Sequence, residues 1–430
     1  MKLSLFVWHE RLFGSLWFVP TLIILGGIGV AVGLTELDRA YRDTGTDILF
    51  EGSPTSARTV MGTIGASVLA IIGVSVPLTI VALQLAAGQF SQRILRNFLT
   101  DRIVQIFLGV FVAVFAYSLL VLRVISDADV AEDAFVPNMS ITAGVLASLL
   151  SLGLFVVFIN HIMDLIQLSN IIQNISTETQ ASMLSLYPEP VGTSGDAQPI
   201  PPPPDDARFI PANKSGYLQA VDGEALFHVA RDRAATVWIR RLPGAFCSEG
   251  SALFAVVGLE ANDETAHELN HHVQIGGYRT VENDALFGIR QIVDVAARAL
   301  SPGVNDPTTA VQCLDYLQSL LITLTQRAFP SPVRADDSGT ERLIVTQPDF
   351  HDYVAEAFDQ VREFGEGNVA VTRRLIEAVG EVLGKTEGDR RECLVRQMQL
   401  TLEGARRSVK EPADLEALER IAAHHLRRAN

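Results

Sequence analysis

The chain has 430 residues, 48% of them hydrophobic, a formal net charge of −15 and a positive mean hydropathy of +0.25. That length admits two or three structural units. The hydropathy points away from an ordinary soluble enzyme, and the acidic balance excludes the basic footprint that nucleic-acid binding needs. Basic residues are almost all arginine, lysine occurring only at Lys2, Lys214, Lys385 and Lys410. The three cysteines, Cys247, Cys313 and Cys393, form no CxxC and no even framework, which fits a reducing compartment and gives no cysteine metal site.

The apolar run Leu12–Thr35 is too long for the core of a cleavable signal and lacks a small-residue cleavage site, so it is expected to stay as a membrane span. Four such stretches are long enough to cross a hydrocarbon core, which needs about 20 apolar residues. They lie between Arg11 and Glu36, from after Arg58 to Leu83 and on to Gln92, between Arg102 and Arg123, and from about Phe135 to Asn160. Lys2 and Arg11 precede the first, and Arg93, Arg96 and Arg102 fill the loop after the second. The other two loops are acidic, with Glu36, Asp38, Asp43, Asp47 and Glu51 in one and Asp127, Asp129, Glu132 and Asp133 in the other. The Lys/Arg bias therefore expects a bacterial inner (plasma) membrane protein with both termini cytoplasmic. Trp8, Trp17 and Phe18 suit an interfacial belt.

The second span carries Gly73-Val-Ser75-Val-Pro77-Leu-Thr79. A proline there frees a carbonyl that neighbours, hydroxyls or water must satisfy. Small residues and a kink suit either tight helix packing or a cavity wall, so Ser75, Pro77, Thr79, Gln84 and Gln89 are pore-lining candidates. The amphipathic Ile94–Leu99 could lie on the headgroups. The fourth span ends in a polar stripe with Asn160, Asp164, Gln167 and Asn174. Asn160 and Asp164 join the candidates, because an acid at a membrane edge is costly, although a helix that has already left the membrane explains them too.

Residues 188–206 shift to Pro, Gly, Ser and acid, including Pro199-Ile-Pro-Pro-Pro-Pro204, and read as a semi-rigid linker. The expected division is a four-helix transmembrane domain with a helical extension at 1–187, the linker, a small β unit at 207–260 and a helical domain at 261–430. The fold class is thus an α-helical polytopic membrane protein with a cytosolic α+β domain, a β-barrel-like unit followed by a helical bundle. Gly216–Asp222, Ala235–Leu242 and Ala252–Val257 read as strands around a short helix through Leu226 and Val229. The pattern resembles barrel-sandwich modules of the biotinyl type. Their carrier lysine is missing, since no lysine lies between Lys214 and Lys385, and no cofactor is expected.

Everything after Asp263 reads as helix. His267-Glu-Leu-Asn-His271 matches HExxH, which on a helix presents two imidazoles to zinc with a glutamate base. Gly276-Gly277 breaks the segment early and Glu282 lies beyond the break, so a third ligand is wanting and metal binding by His267 and His271 stays the weaker alternative. In Asn283–Ser301, Arg290, Asp294 and Arg298 are spaced as a surface ladder. Ser301-Pro302-Gly303 ends that helix. Asn305-Asp306-Pro307 starts the next, with Asp306 suited to the N-cap and Pro307 to the first turn.

Two blocks, Leu83–Asp101 and Gly288–Ala310, together with the four spans, resemble the bacterial predicted membrane protein family called domain of unknown function 2254. Gln92 replaces a common proline of that family, and Ala87-Gly88 a pair of serines. The resemblance implies this architecture and no particular activity. With no Walker A, GxGxxG, GxSxG or Cys/His cluster present, the leading expectation is a homo-oligomeric ion channel or passive transport protein, with lipid bilayer, further copies and ions as partners. The alternatives are a membrane-anchored scaffold or sensor without a pore and a membrane zinc peptidase.

Overall fold

The computed structural model describes residues 17–41, 50, 52–89, 101–126, 135–191 and 200–429. The amphipathic stretch expected at Ile94–Leu99 and the flanking charges of the first and third loops fall largely outside them. Contacts divide the chain into two units, Met1–Asn170 and Ile171–Asn430.

The first unit holds four helices long and apolar enough to cross a membrane: α1 (Phe18–Ala40), α2 (Pro54–Gln89), α3 (Arg102–Val124) and α4 (Asn138–Ile166). The third packs against the other three. Half of its most apolar window is buried, against 17% in α1 and 22% in α2 and α4. Glycine lets α1 and α3 approach closely, as membrane helices packed without a hydrophobic drive do. A Cβ on Gly27 would lie 2.9 Å from that of Ala113, and one on Gly109 3.0 Å from the Pro20 Cα. On its other side α3 stacks Phe107 on Phe158, ring centroids 3.8 Å apart. The start of α4 is capped from across the bundle. The buried Asp38 carboxylate accepts from the Met139 and Ser140 amides at 2.9 Å each and from the Ser140 hydroxyl at 2.6 Å. The two amides are among those a helix start leaves unsatisfied.

Gln167 leaves the helical conformation, and α5 (Leu168–Leu186) follows it. From Ile171 onward α5 belongs to the second unit, and its Ile171, Ile172, Ile175, Thr179 and Met183 are buried. The contact boundary at 170/171 thus lies upstream of the compositional one at 187/188. The described parts of the Pro-rich segment are also tied to this unit. The Val191 amide donates to the Gln326 carbonyl, and the Trp238 indole N–H donates to the Pro201 carbonyl at 3.0 Å.

The second unit contains β1 (Arg208–Pro211), β2 (Gly216–Val221), α6 (Gly223–Asp232), β3 (Thr236–Ile239), β4 (Phe246–Cys247), β5 (Ala252–Val257), α7 (Asp263–His271), β6 (Val273–Gly276), α8 (Ala285–Ala299), α9 (Pro307–Thr325), β7 (Val333–Ala335), β8 (Glu341–Val345), α10 (Phe350–Phe364), α11 (Val369–Leu383), α12 (Arg390–Ser408) and α13 (Pro412–Ala429). The expected barrel-like unit is corrected, because the described strands form two open sheets, ordered β1-β5-β3-β8-β7 and β4-β2-β6. The reading of everything after Asp263 as helix is corrected with it, since β6, β7 and β8 all lie there. Parallel pairing of β3 with β8 needs a long crossover, which the chain from β5 to α9 provides. Leu218, Val237, Phe254, Leu269, Ile275 and Leu343 share the core between these strands and α6 and α7.

Candidate functional site

Around Pro77, which lies inside the continuous helix α2, the candidates face different ways. Ser75 is buried, and its hydroxyl has no hydrogen-bond partner among the described residues. Pro77 and Gln84 are exposed on the helix surface. Thr79 is half-buried and donates its hydroxyl to the Ser75 carbonyl at 2.8 Å, a local bond of the kind that accommodates proline in a membrane helix. Gln89 ends α2, and its side chain lies outside the described residues. On α4, Asn160 and Asp164 are exposed, with the amide donating to the carboxylate at 3.4 Å. His161, between them, turns inward to Asp101 at 2.9 Å, and Asp101 also caps α3 by accepting from the Ile103 amide at 2.8 Å.

The second block of polar residues surrounds α8. Arg290 donates to Asp294 at 3.0 Å, the ladder its spacing suggests, and also reaches Glu356 of α10 at 3.2 Å. Only the fold reveals that second partner. Arg298 lies one turn beyond Asp294, and its carbonyl accepts the Ser301 hydroxyl at 2.6 Å. The loop that follows is held by backbone bonds. The Val304 and Asn305 amides donate to the Ser301 carbonyl, and the Asp306 amide donates to the Ala299 carbonyl at 2.7 Å. Pro302 sits exposed at its outer edge. Asn305 takes a positive φ of 48°, a conformation asparagine tolerates. Asp306 caps α9 with Pro307 in the first turn, accepting the Thr309 hydroxyl at 2.6 Å and the Thr309 amide at 3.2 Å. Those bonds, the hydroxyl's first, hold its carboxyl below the ordinary aspartate value.

The start of α8 is fixed by Asp284, almost wholly enclosed, which pairs with Arg279 at 2.8 Å and accepts from the Phe287 amide. Burial pushes its carboxyl up despite Arg279. The turn at Gly244, with φ of +86°, crosses so closely that a Cβ there would overlap the Asp284 carboxylate. Sequence reading missed this node, and also the seat of α5 on α8. There the Ser182 hydroxyl donates to the Glu282 carbonyl at 3.1 Å, and Gly288 leaves room only for Thr179. Beyond α5, the Tyr187 and Tyr353 hydroxyls share a buried hydrogen bond of 3.0 Å.

The HExxH match lies on α7. His267 and His271 line one open cavity of about 260 Å³ with Asn213, Lys214, Asn270 and Val273. Glu268 instead pairs with Arg233 at 2.9 Å. Among the described residues no group of three or more His, Cys, Asp or Glu side chains is placed to hold a metal ion.

Comparison with known proteins agrees with the membrane architecture. The chain is 31% identical over 412 residues to an uncharacterized protein of Mycobacterium bovis, covering 94% of this chain and 79% of that one. An uncharacterized protein of Mycobacterium tuberculosis matches to the same extent. No solved structure matches. The profile of the family described as predicted membrane protein, domain of unknown function 2254, matches residues 14–381. With four membrane-length helices and a match over most of its length, the chain belongs to the domain of unknown function 2254 family of predicted membrane proteins.

Proposed function

We propose that the protein is a homo-oligomeric channel or passive transport protein of a bacterial inner membrane, with both termini cytoplasmic and its C-terminal unit gating or assembling the pore from the cytosol. The observation that carries this reading is the set of polar residues and one mid-helix proline on exposed surfaces of the spanning helices: Pro77 and Gln84 on α2, Asn160 and Asp164 on α4. Hydrocarbon is a poor neighbour for such groups, whereas a water-filled path between copies suits them. Gly29 and Gly33 of α1 support assembly. They form a GxxxG pair on an exposed face, and a Cβ on either would meet nothing within 4 Å. Among the described residues no packing contact calls for glycine there, and a second helix could approach closely along that face.

The pathway runs between copies, so oligomerisation is part of the reading. Mass measurement in nanodiscs, with cysteine cross-linking from Gly29→Cys and Gly27→Cys, tests it. Oligomers cross-linked through position 29 and not through the inward position 27 are expected. A monomer would remove the reading.

One observation favours the second reading, a membrane-anchored scaffold or sensor: Thr79 donates its hydroxyl to the Ser75 carbonyl of its own helix and Ser75 is enclosed, so neither hydroxyl is offered to a path. In that case α5, seated on α8, links the last spanning helix to the cytosolic unit without a pore. The zinc peptidase reading is weakened by the pairing of Glu268 with Arg233, which occupies the would-be base.

A further inference from the structure

One face of α7 is committed to the core through Thr265, Leu269 and Asn270. The opposite face carries His267 and His271, one helical turn apart and both lining the open cavity of about 260 Å³. The cavity wall is built. The Asn270 amide donates to the Pro211 carbonyl at 3.0 Å and the Ala266 carbonyl at 2.8 Å, and its oxygen accepts from the Asn213 amide at 3.2 Å. These bonds pin the last turn of α7 to the β1–β2 connection that bears Asn213 and Lys214. They also occupy both ends of the Asn270 side chain. His161 and His228 each have a carboxylate partner, Asp101 and Glu224, but no hydrogen bond or ion pair ties down either imidazole of His267 or His271 among the described residues.

We propose that His267 and His271 form a two-imidazole site for a divalent transition-metal ion of the copper, nickel and zinc class, with water completing its coordination. Imidazoles at i and i+4 converge on one ion from one helix face, and nitrogen ligands of this type suit those metals. His271 is the last residue of α7, where the unsatisfied carbonyls of the helix end favour positive charge. The Lys214 ammonium in the same cavity competes for that position and weakens the site. Glu268 points to Arg233 and supplies neither a ligand nor a base, so the site binds an exchangeable ion and does not carry out metal-assisted hydrolysis. The inference is independent of whether the spanning helices form a pore.

The test uses tag-free full-length protein in detergent, titrated with Zn²⁺ by calorimetry and with Cu²⁺ by electron paramagnetic resonance. One equivalent per chain is expected, with nitrogen couplings from imidazole in the copper spectrum. His267→Ala and His271→Ala each lower the affinity by about tenfold or more. Both side chains are exposed, so neither variant threatens folding. Lys214→Ala binds at least as tightly as wild type, and His425→Ala keeps the equivalent. Absence of stoichiometric metal, or an equivalent unchanged in both histidine variants, would overturn the assignment. So would a Lys214→Ala variant that binds metal more weakly, or inorganic phosphate taken up in place of metal in a Lys214-dependent manner, because the cavity would then be an anion site.

Discussion

Gly288→Ala probes the contact through which α5 is seated on the C-terminal unit. A Cβ at Gly288 would overlap the Thr179 hydroxyl and lie 2.8 Å from the Thr179 Cβ. Thr179 is fully buried, and its hydroxyl donates to the Ile175 carbonyl at 2.6 Å, so it has no open space to rotate into. Overpacking of this kind costs about 1–3 kcal/mol, and so direct an overlap belongs at the upper end. The better helix propensity of alanine returns about 1 kcal/mol, leaving a net loss of about 2 kcal/mol. For a unit of this size that corresponds to a fall in Tm of roughly 4–8 °C. Thr179→Gly alone costs a similar ~2 kcal/mol through lost packing and a helical glycine. Combining the two removes the overlap and keeps the propensity gain, so the double variant is expected to lose about 3 kcal/mol less than the sum of the singles. Denaturation of the full chain in detergent, followed by Trp238 fluorescence with Trp8 and Trp17 replaced by Phe, measures all four proteins. Additivity to within about 0.5 kcal/mol would refute a direct contact between these residues.

Asp38→Ala removes the acceptor for three donors at the start of α4 and is expected to destabilise the membrane unit by about 1–3 kcal/mol, with Asp38→Asn milder. Thermal unfolding in one detergent, compared across the three proteins, checks the order, and an Asn variant as damaged as Ala would contradict the cap. In α13, His425 lies against Gly380 of α11, where a Cβ would overlap its ring. Burial, the largest cause, holds its imidazole below the ordinary 6.5 despite Glu381. The unfolded chain therefore takes up the proton first, and stability present above pH 6.5 is lost as pH falls toward the lowered value. Burial lowers His272 in the same direction, so His425→Gln should remove part of the slope in denaturant midpoint between pH 8 and 5.5. An unchanged slope would contradict this assignment.

The spanning helices were legible because a run of about 20 apolar residues has few other uses. The cap at Asp306 was legible because it is decided within four residues. The β architecture was not. Val273–Gly276 is too short to reveal its period, and β3 finds β8 only after a long crossover, so local alternation at 216–257 suggested a closed unit where the strands form open sheets. The Asp336-Asp-Ser-Gly339 cluster of turn residues, set just before the apolar Leu343-Ile-Val345, was a turn signal for the β7–β8 hairpin. Among the candidate residues, spacing located Arg290–Asp294 but not Glu356, and it located His267 and His271 but not the Arg233 that holds Glu268. Such partners meet only in the folded chain, as do Asp38 and the start of α4.

The central claim is that ions or small solutes cross the membrane past Pro77 and Gln84 on the exposed surface of α2. Flux through purified protein in liposomes, for wild type, Pro77→Ala and Gln84→Leu across voltage and both salt gradients, tests it most directly. The account predicts conductance in wild type, altered in both variants. A wild type that stays silent under all these conditions, while folded and oligomeric, would contradict it and leave the scaffold or sensor.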